Sequence, residues 1–199
     1  MASAYTPLSS APMDKGVAIY QPDQPQMDVV SLEDSATAVM TDLRRVAAVT
    51  VEHDATLEMA GQRMKERGVR LLLVTGSADA VVGLITSTDL LGEKPMQCIQ
   101  KNGGRRSDLL VKDIMTPQDK LEVLCMADVD RARVGNIVAT MKRAGRQHAL
   151  VVYRLYAGGS QMVRGIFSAA QIARKLDMEI QAHEVVQTFA EIEKLVMSA

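Results

Sequence analysis

Three short stretches of this 199-residue chain combine residue types able to hold a phosphate or a sugar. Thr86-x-x-Asp89 follows Gly83-Leu84-Ile85, which reads as the end of a strand. A helix opening at Thr86 exposes amides that attract an anion, and a hydroxyl there can bond a phosphate oxygen. A carboxylate one turn in, at Asp89, could accept both hydroxyls of a ribose. Gly83 would let a ligand come close to the backbone. The same spacing also serves as a capping box, with Thr86 accepting from a first-turn amide and Asp89 reaching back, and this needs no ligand. Ser168-x-x-Gln171 echoes the pattern, with Gln171 in place of the carboxylate. Gln171 would still complete a capping box. It offers a diol no charge, however, and hydrogen bonds to charged groups are worth about 1.5–3 kcal/mol against about 1 for neutral ones. A site built on it is expected to be about tenfold weaker. Gly145-Arg146-Gln147-His148 adds a cation for a phosphate, Arg146, and two groups, Gln147 and His148, that could bond a base edge.

These stretches recur because the chain repeats itself. Val39-Met40-Thr41-Asp42 returns as Ile114-Met115-Thr116-Pro117. The β-branched run Val46 to Val51 predicts a strand. Asp54-Ala55-Thr56 offers an N-cap before Leu57, Ala60 and Met64, which share one helical face. Val134, Ile137, Val138 and Met141 give the same stripe in the second copy. Each helix stops at a glycine, Gly68 or Gly145, suited to a left-handed end residue. Each glycine precedes an apolar run, then a turn, then Val82-Gly83-Leu84-Ile85 or Arg164-Gly165-Ile166-Phe167. Two β-α-β-β-α units over 39–103 and 114–176 result. Each is too small to bury a good core alone, so two sheets stacked about a pseudo-twofold axis are expected. A helix over Glu93–Lys101, broken at Asn102-Gly103-Gly104, connects them.

Two ordered copies of Met-Thr, an amphipathic helix, a glycine-led apolar strand and Gly-apolar-apolar-Thr/Ser-x-x-Asp resemble tandem CBS domains, the cystathionine beta-synthase type paired as a Bateman module. The resemblance covers about 140 residues and excludes both tails. It implies an α/β (α+β) fold of two repeats and a stand-alone regulatory module without catalysis. It further implies reversible binding of AMP, ADP or ATP in clefts between the repeats, and a homodimer. By the resemblance Thr86 contacts phosphate and Asp89 holds the ribose, with Gly83 before them. The segment from Gly68 to Leu73 corresponds to the base-binding strand, where Val69, Arg70 and Leu71 would wall the base. Leu73 stands where proline is usual. The second site would draw on Arg146, Gln147, His148, Ser168 and Gln171. The alternative reading is an interaction or scaffold protein with vestigial clefts, favoured by Leu73, Leu150 and Gln171.

Composition narrows the remaining classes. The 23 Lys+Arg against 24 Asp+Glu give a formal charge of −1, so no global field draws nucleic acid, and aromatics for base stacking are only 3%. No run approaches the ~20 apolar residues of a membrane helix. The N-terminus lacks the basic and apolar regions of a signal peptide. A cytoplasmic protein is expected, in which Cys98 and Cys125 are buried or half-buried free thiols. His53, His148 and His183 form no metal-ligand cluster, and neither a phosphate-binding loop nor a nucleophile elbow occurs. No metal is predicted. Asp128-Val129-Asp130 reads as an acidic first turn of a helix, and Arg105-Arg106 and Lys142-Arg143 as solvated basic pairs. The 13 methionines read mainly as core filler. The expected domain layout is a flexible tail over 1–28, a first repeat with lead-in and connecting helix over 29–103, and a second repeat over 104–176. An amphipathic helix over 177–199 follows, with a seam at Ala182, Val185, Phe189, Ile192 and Val196. Within the tail, Val17 to Tyr20 could add an edge strand. An unidentified target protein would receive the signal.

Overall fold

The computed structural model describes residues 30–176 apart from 155, 157 and 158; both tails, with the Val17–Tyr20 strand, His183 and the C-terminal seam, lie outside the described residues. In chain order the elements are β1 (Thr41–Asp42), β2 (Thr50–Glu52), α1 (Leu57–Arg67), β3 (Leu71–Thr75), β4 (Val81–Thr86), α2 (Ser87–Leu91) and α3 (Lys94–Asn102). Then come α4 (Val111–Ile114), β5 (Thr116–Pro117), β6 (Val123–Cys125), α5 (Met126–Val129), α6 (Val134–Ala144), β7 (His148–Arg154), β8 (Gln161–Ser168) and α7 (Ala169–Lys175). Helix α1 starts where the Thr56 hydroxyl accepts from the Met59 N–H at 3.2 Å, and it buries Leu57, Ala60 and Met64. Helix α6 buries Val134, Ile137, Val138 and Met141. Both end on a left-handed glycine, Gly68 at φ 62° and Gly145 at φ 61°. The run from Val46 to Val51 enters a strand only at Thr50. Asp42 holds residues 43–46 in a turn, so the run starts outside any strand: its carboxylate accepts from the Arg44 N–H, and its carbonyl from those of Arg45 and Val46.

Two four-stranded sheets form, in the orders β2-β3-β4-β5 and β1-β8-β7-β6. Each sheet takes an edge strand from the other repeat's lead-in. β5 pairs antiparallel with β4, setting Thr116 opposite Leu84, and β1 pairs antiparallel with β8, setting Thr41 opposite Ile166. The exchange explains why the chain doubles both Met-Thr and the strand glycine. A Cβ at Gly83 would sit 2.5 Å from the Thr116 carbonyl oxygen and 3.0 Å from Met115 Sδ. At Gly165 it would meet Met40 Sδ at 2.5 Å. The close approach at Gly83 is therefore made by the chain's own β5.

The core has three parts. Helix-facing residues of the first sheet, Val51, Leu72, Val74 and Ile85, pack with α1 and with Leu109, Val111 and Ile114 from the second lead-in. Their counterparts Val151 and Phe167 pack with α6 and with Val30, Ala36, Val39 and Met40 from the first lead-in. Between the sheets lie Leu71, Leu73 and Leu150. Every residue of β3 is buried, because helices cover one face and the other sheet covers the opposite face. Leu73 also donates its N–H to the Val49 carbonyl at 3.1 Å, a bond that proline could not make. Cys98 is half-buried as expected, whereas Cys125 is exposed at the end of the edge strand β6; both are free thiols.

Candidate functional site

A cleft of about 290 Å³ opens between the two sheets. One wall is the β4–α2 junction, with Leu84, Thr86, Thr88 and Asp89. A second is β5 and the turn after it, with Thr116, Lys120, Leu121 and Glu122. The third is the exit of α6, with Gly145, Arg146, Gln147, His148 and Leu150. Its volume is at the lower end of the ~300–1,000 Å³ usual for small-molecule sites.

At the first wall the capping box is fully made. Asp89 Oδ2 accepts from the Thr86 N–H and from the Thr86 hydroxyl, both at 2.8 Å, and the Asp89 N–H donates to Thr86 Oγ1 at 3.3 Å. Asp89 Oδ1 meets Lys94 Nζ at 2.5 Å. Asp89 is 8% exposed, and these partners satisfy its buried oxygens.

The facing wall is positioned by the left-handed turn at Gly145 and by the Ala169 N–H, which donates to the Gln147 carbonyl at 2.9 Å. Arg146 reaches across to Glu122 at 3.0 Å. His148 is pushed down to about 4, first by burial and then by the Arg70 guanidinium, with Asp89 opposing. Its imidazole is neutral at pH 7, with one nitrogen to donate and one to accept. Lys120, exposed at the rim, has no ion-pair partner among the described residues. The cleft can therefore receive an anion at its rim and a polar ring edge deeper in.

Of the residues singled out in the sequence, Thr86, Asp89, Arg146, Gln147 and His148 meet here, joining one repeat's helix start to the other repeat's strand entry. The others do not line this cleft. Gly83 lies against β5, Val69 packs on the first helix-facing core, and Leu71 is buried between the sheets. Arg70 is exposed beside the cleft, where His148 feels its charge. Ser168 and Gln171 sit at the equivalent β8–α7 junction, but the capping box expected there is not made. Ser168 caps nothing through its side chain, and Gln171 Oε1 accepts instead from the Thr41 hydroxyl at 2.9 Å. A neutral amide so close to the exchanged strand pairs with the nearest hydroxyl. Around the equivalent position Leu71 stands where the open cleft has His148, each three residues after a left-handed glycine. Sequence reasoning missed Thr116, Lys120, Leu121 and Glu122 as wall residues. The doubled Met-Thr marked their stretch, but not which sheet it would join.

Residues 22–95 match the family model of the CBS domain. No curated protein matches the chain. Among solved structures, an uncharacterized conserved protein from Pyrococcus horikoshii is 19% identical over 77% of this chain and 100% of its own, with a TM-score of 0.54. A CBS-domain containing protein from Agrobacterium tumefaciens is 17% identical over 72% of this chain and 94% of its own, with a TM-score of 0.52. CBSX2 of Arabidopsis thaliana, solved in complex with AMP, is 20% identical over 71% of this chain and 94% of its own, with a TM-score of 0.51. The first repeat is thus a CBS domain, and the described chain as a whole has the fold of a tandem CBS pair.

Proposed function

We propose that this protein is a regulatory module that binds an adenine nucleotide reversibly in the cleft between its repeats and performs no catalysis. The observation that carries the reading is the meeting, in one cleft, of Thr86 and Asp89 with Arg146, Gln147 and His148. Asp89 faces the ribose, the α2 start and the cations Arg146 and Lys120 take phosphate, and neutral His148 with Gln147 bonds the base edge. The AMP held by CBSX2, a protein of the same fold, supports the ligand class. The module works as a cytoplasmic homodimer and passes its signal to a target protein. Calorimetry with AMP, ADP and ATP tests the reading: micromolar to millimolar binding of AMP, reduced at least tenfold by D89A, is expected, and no heat with any of the three rejects it.

A second reading rests on the completeness of the Thr86–Asp89 box, which is satisfied within the chain alone. The protein would then be an interaction scaffold with a vestigial cleft, and D89A would lower stability without altering any ligand affinity. Thermal melts of wild type and D89A, with and without AMP, separate the two: only a true site gives an AMP-dependent rise in Tm that D89A removes.

A further inference from the structure

The ion pair behind Asp89 changes what the cleft can offer a ligand. Asp89 Oδ2 already accepts two hydrogen bonds from Thr86, while Oδ1 holds Lys94 Nζ at 2.5 Å. A carboxylate has about four acceptor positions, so one remains, on Oδ1. A vicinal diol that bridges a carboxylate needs two. The Thr86 bonds fix the start of α2 and cannot be given up without uncapping it. Lys94 is different: it stands at the first position of α3, its side chain is 45% exposed, and it does not line the cleft. Its ammonium also donates to the Ile114 carbonyl at 3.4 Å, immediately before the Met115-Thr116 lead-in whose threonine forms another cleft wall.

The geometry points to Lys94 as an internal latch on the cleft, competing with ligand hydroxyls for Asp89 and tying ligand occupancy to α3 and the exchanged strand β5. This inference rests on the nucleotide-binding reading and adds a regulation to it. In the free protein Lys94 shields Asp89 and bridges α2 to the end of α4. A diol that takes both acceptor positions on Asp89 Oδ1 releases the ammonium to solvent, and the α3 start loses its tie to the cleft. Affinity for a diol therefore carries the cost of opening the latch.

Lys94→Gln removes the competing charge while keeping a long polar side chain at an exposed helix start. Adenosine is the probe of choice, because an uncharged ligand does not register the lost cation as a lost phosphate contact. K94Q is expected to bind adenosine on the order of tenfold more tightly than wild type, as for release of one charged hydrogen bond. Adenosine should also speed amide exchange over residues 94–102 in wild type and leave it unchanged in K94Q. Adenosine binding that K94Q weakens or leaves unaltered, or exchange at α3 indifferent to ligand, overturns the latch alone. Failure of both proteins to bind adenosine and AMP overturns the nucleotide reading and the latch with it.

Discussion

His148 and Asp42 give the protein two acid sensitivities of distinct origin. The unfolded chain protonates its histidine near 6.5 and the folded one only near 4, so the unfolded state gains the proton first as pH falls. Stability is therefore expected to decline between those values, by up to about 3 kcal/mol, and H148L should flatten that part of a urea-midpoint profile. Asp42 is also shifted down, from its ordinary 3.8, held low first by hydrogen bonding to the Arg164 guanidinium, with Arg44 adding to it against burial. Its contribution is complete above 3.8 and is lost as pH falls through the lower folded value. Arg164→Gln should remove that second, more acidic limb. At Gly83 the neighbour is backbone, whereas at Gly165 it is a flexible methionine tip. G83A is accordingly expected to cost about 1–3 kcal/mol and G165A less, as measured by chemical denaturation.

At the scale of single elements, local chemistry sets where helices begin and end. Thr56→Ala should cost about 1 kcal/mol through the lost cap of α1. Gly68→Ala and Gly145→Ala meet open space, so the expected loss of about 1–2 kcal/mol each comes from left-handed strain alone. The two helix starts after the glycine-bearing strands show where local rules stop. Thr86-x-x-Asp89 closes its box, but Ser168-x-x-Gln171 does not, because Thr41 from the other end of the chain claims Gln171. No spacing within either motif distinguishes the two outcomes; a strand contributed from elsewhere does.

The exchange of lead-in strands ties each described sheet to the lead-in of the other repeat. Residues 29–103 alone lack β5 and the Leu109, Val111 and Ile114 side chains that complete their core. That fragment should show no cooperative unfolding by circular dichroism. A fragment over 47–117, cut at the exchanged boundary, should melt cooperatively at low temperature, since it keeps its own fourth strand. Equal behaviour of the two fragments would mean that the exchanged strand contributes little. The same exchange builds the cleft, because Thr116 and its neighbours reach Thr86 and Asp89 only through β5.

Helix faces, glycine stops and the doubling of the chain were determined by the sequence itself, since periodicity and left-handed glycines act through neighbours three or four residues away. Residue types at Thr86, Asp89, Arg146, Gln147 and His148 were legible for the same reason. Only the tertiary structure decided that these five share one cleft, that Leu71 fills the position equivalent to His148, and that Lys94 occupies Asp89. Those outcomes depend on which strand joins which sheet. That choice lowers the energy by burying apolar lead-ins in the opposite repeat, and no local pattern encodes it.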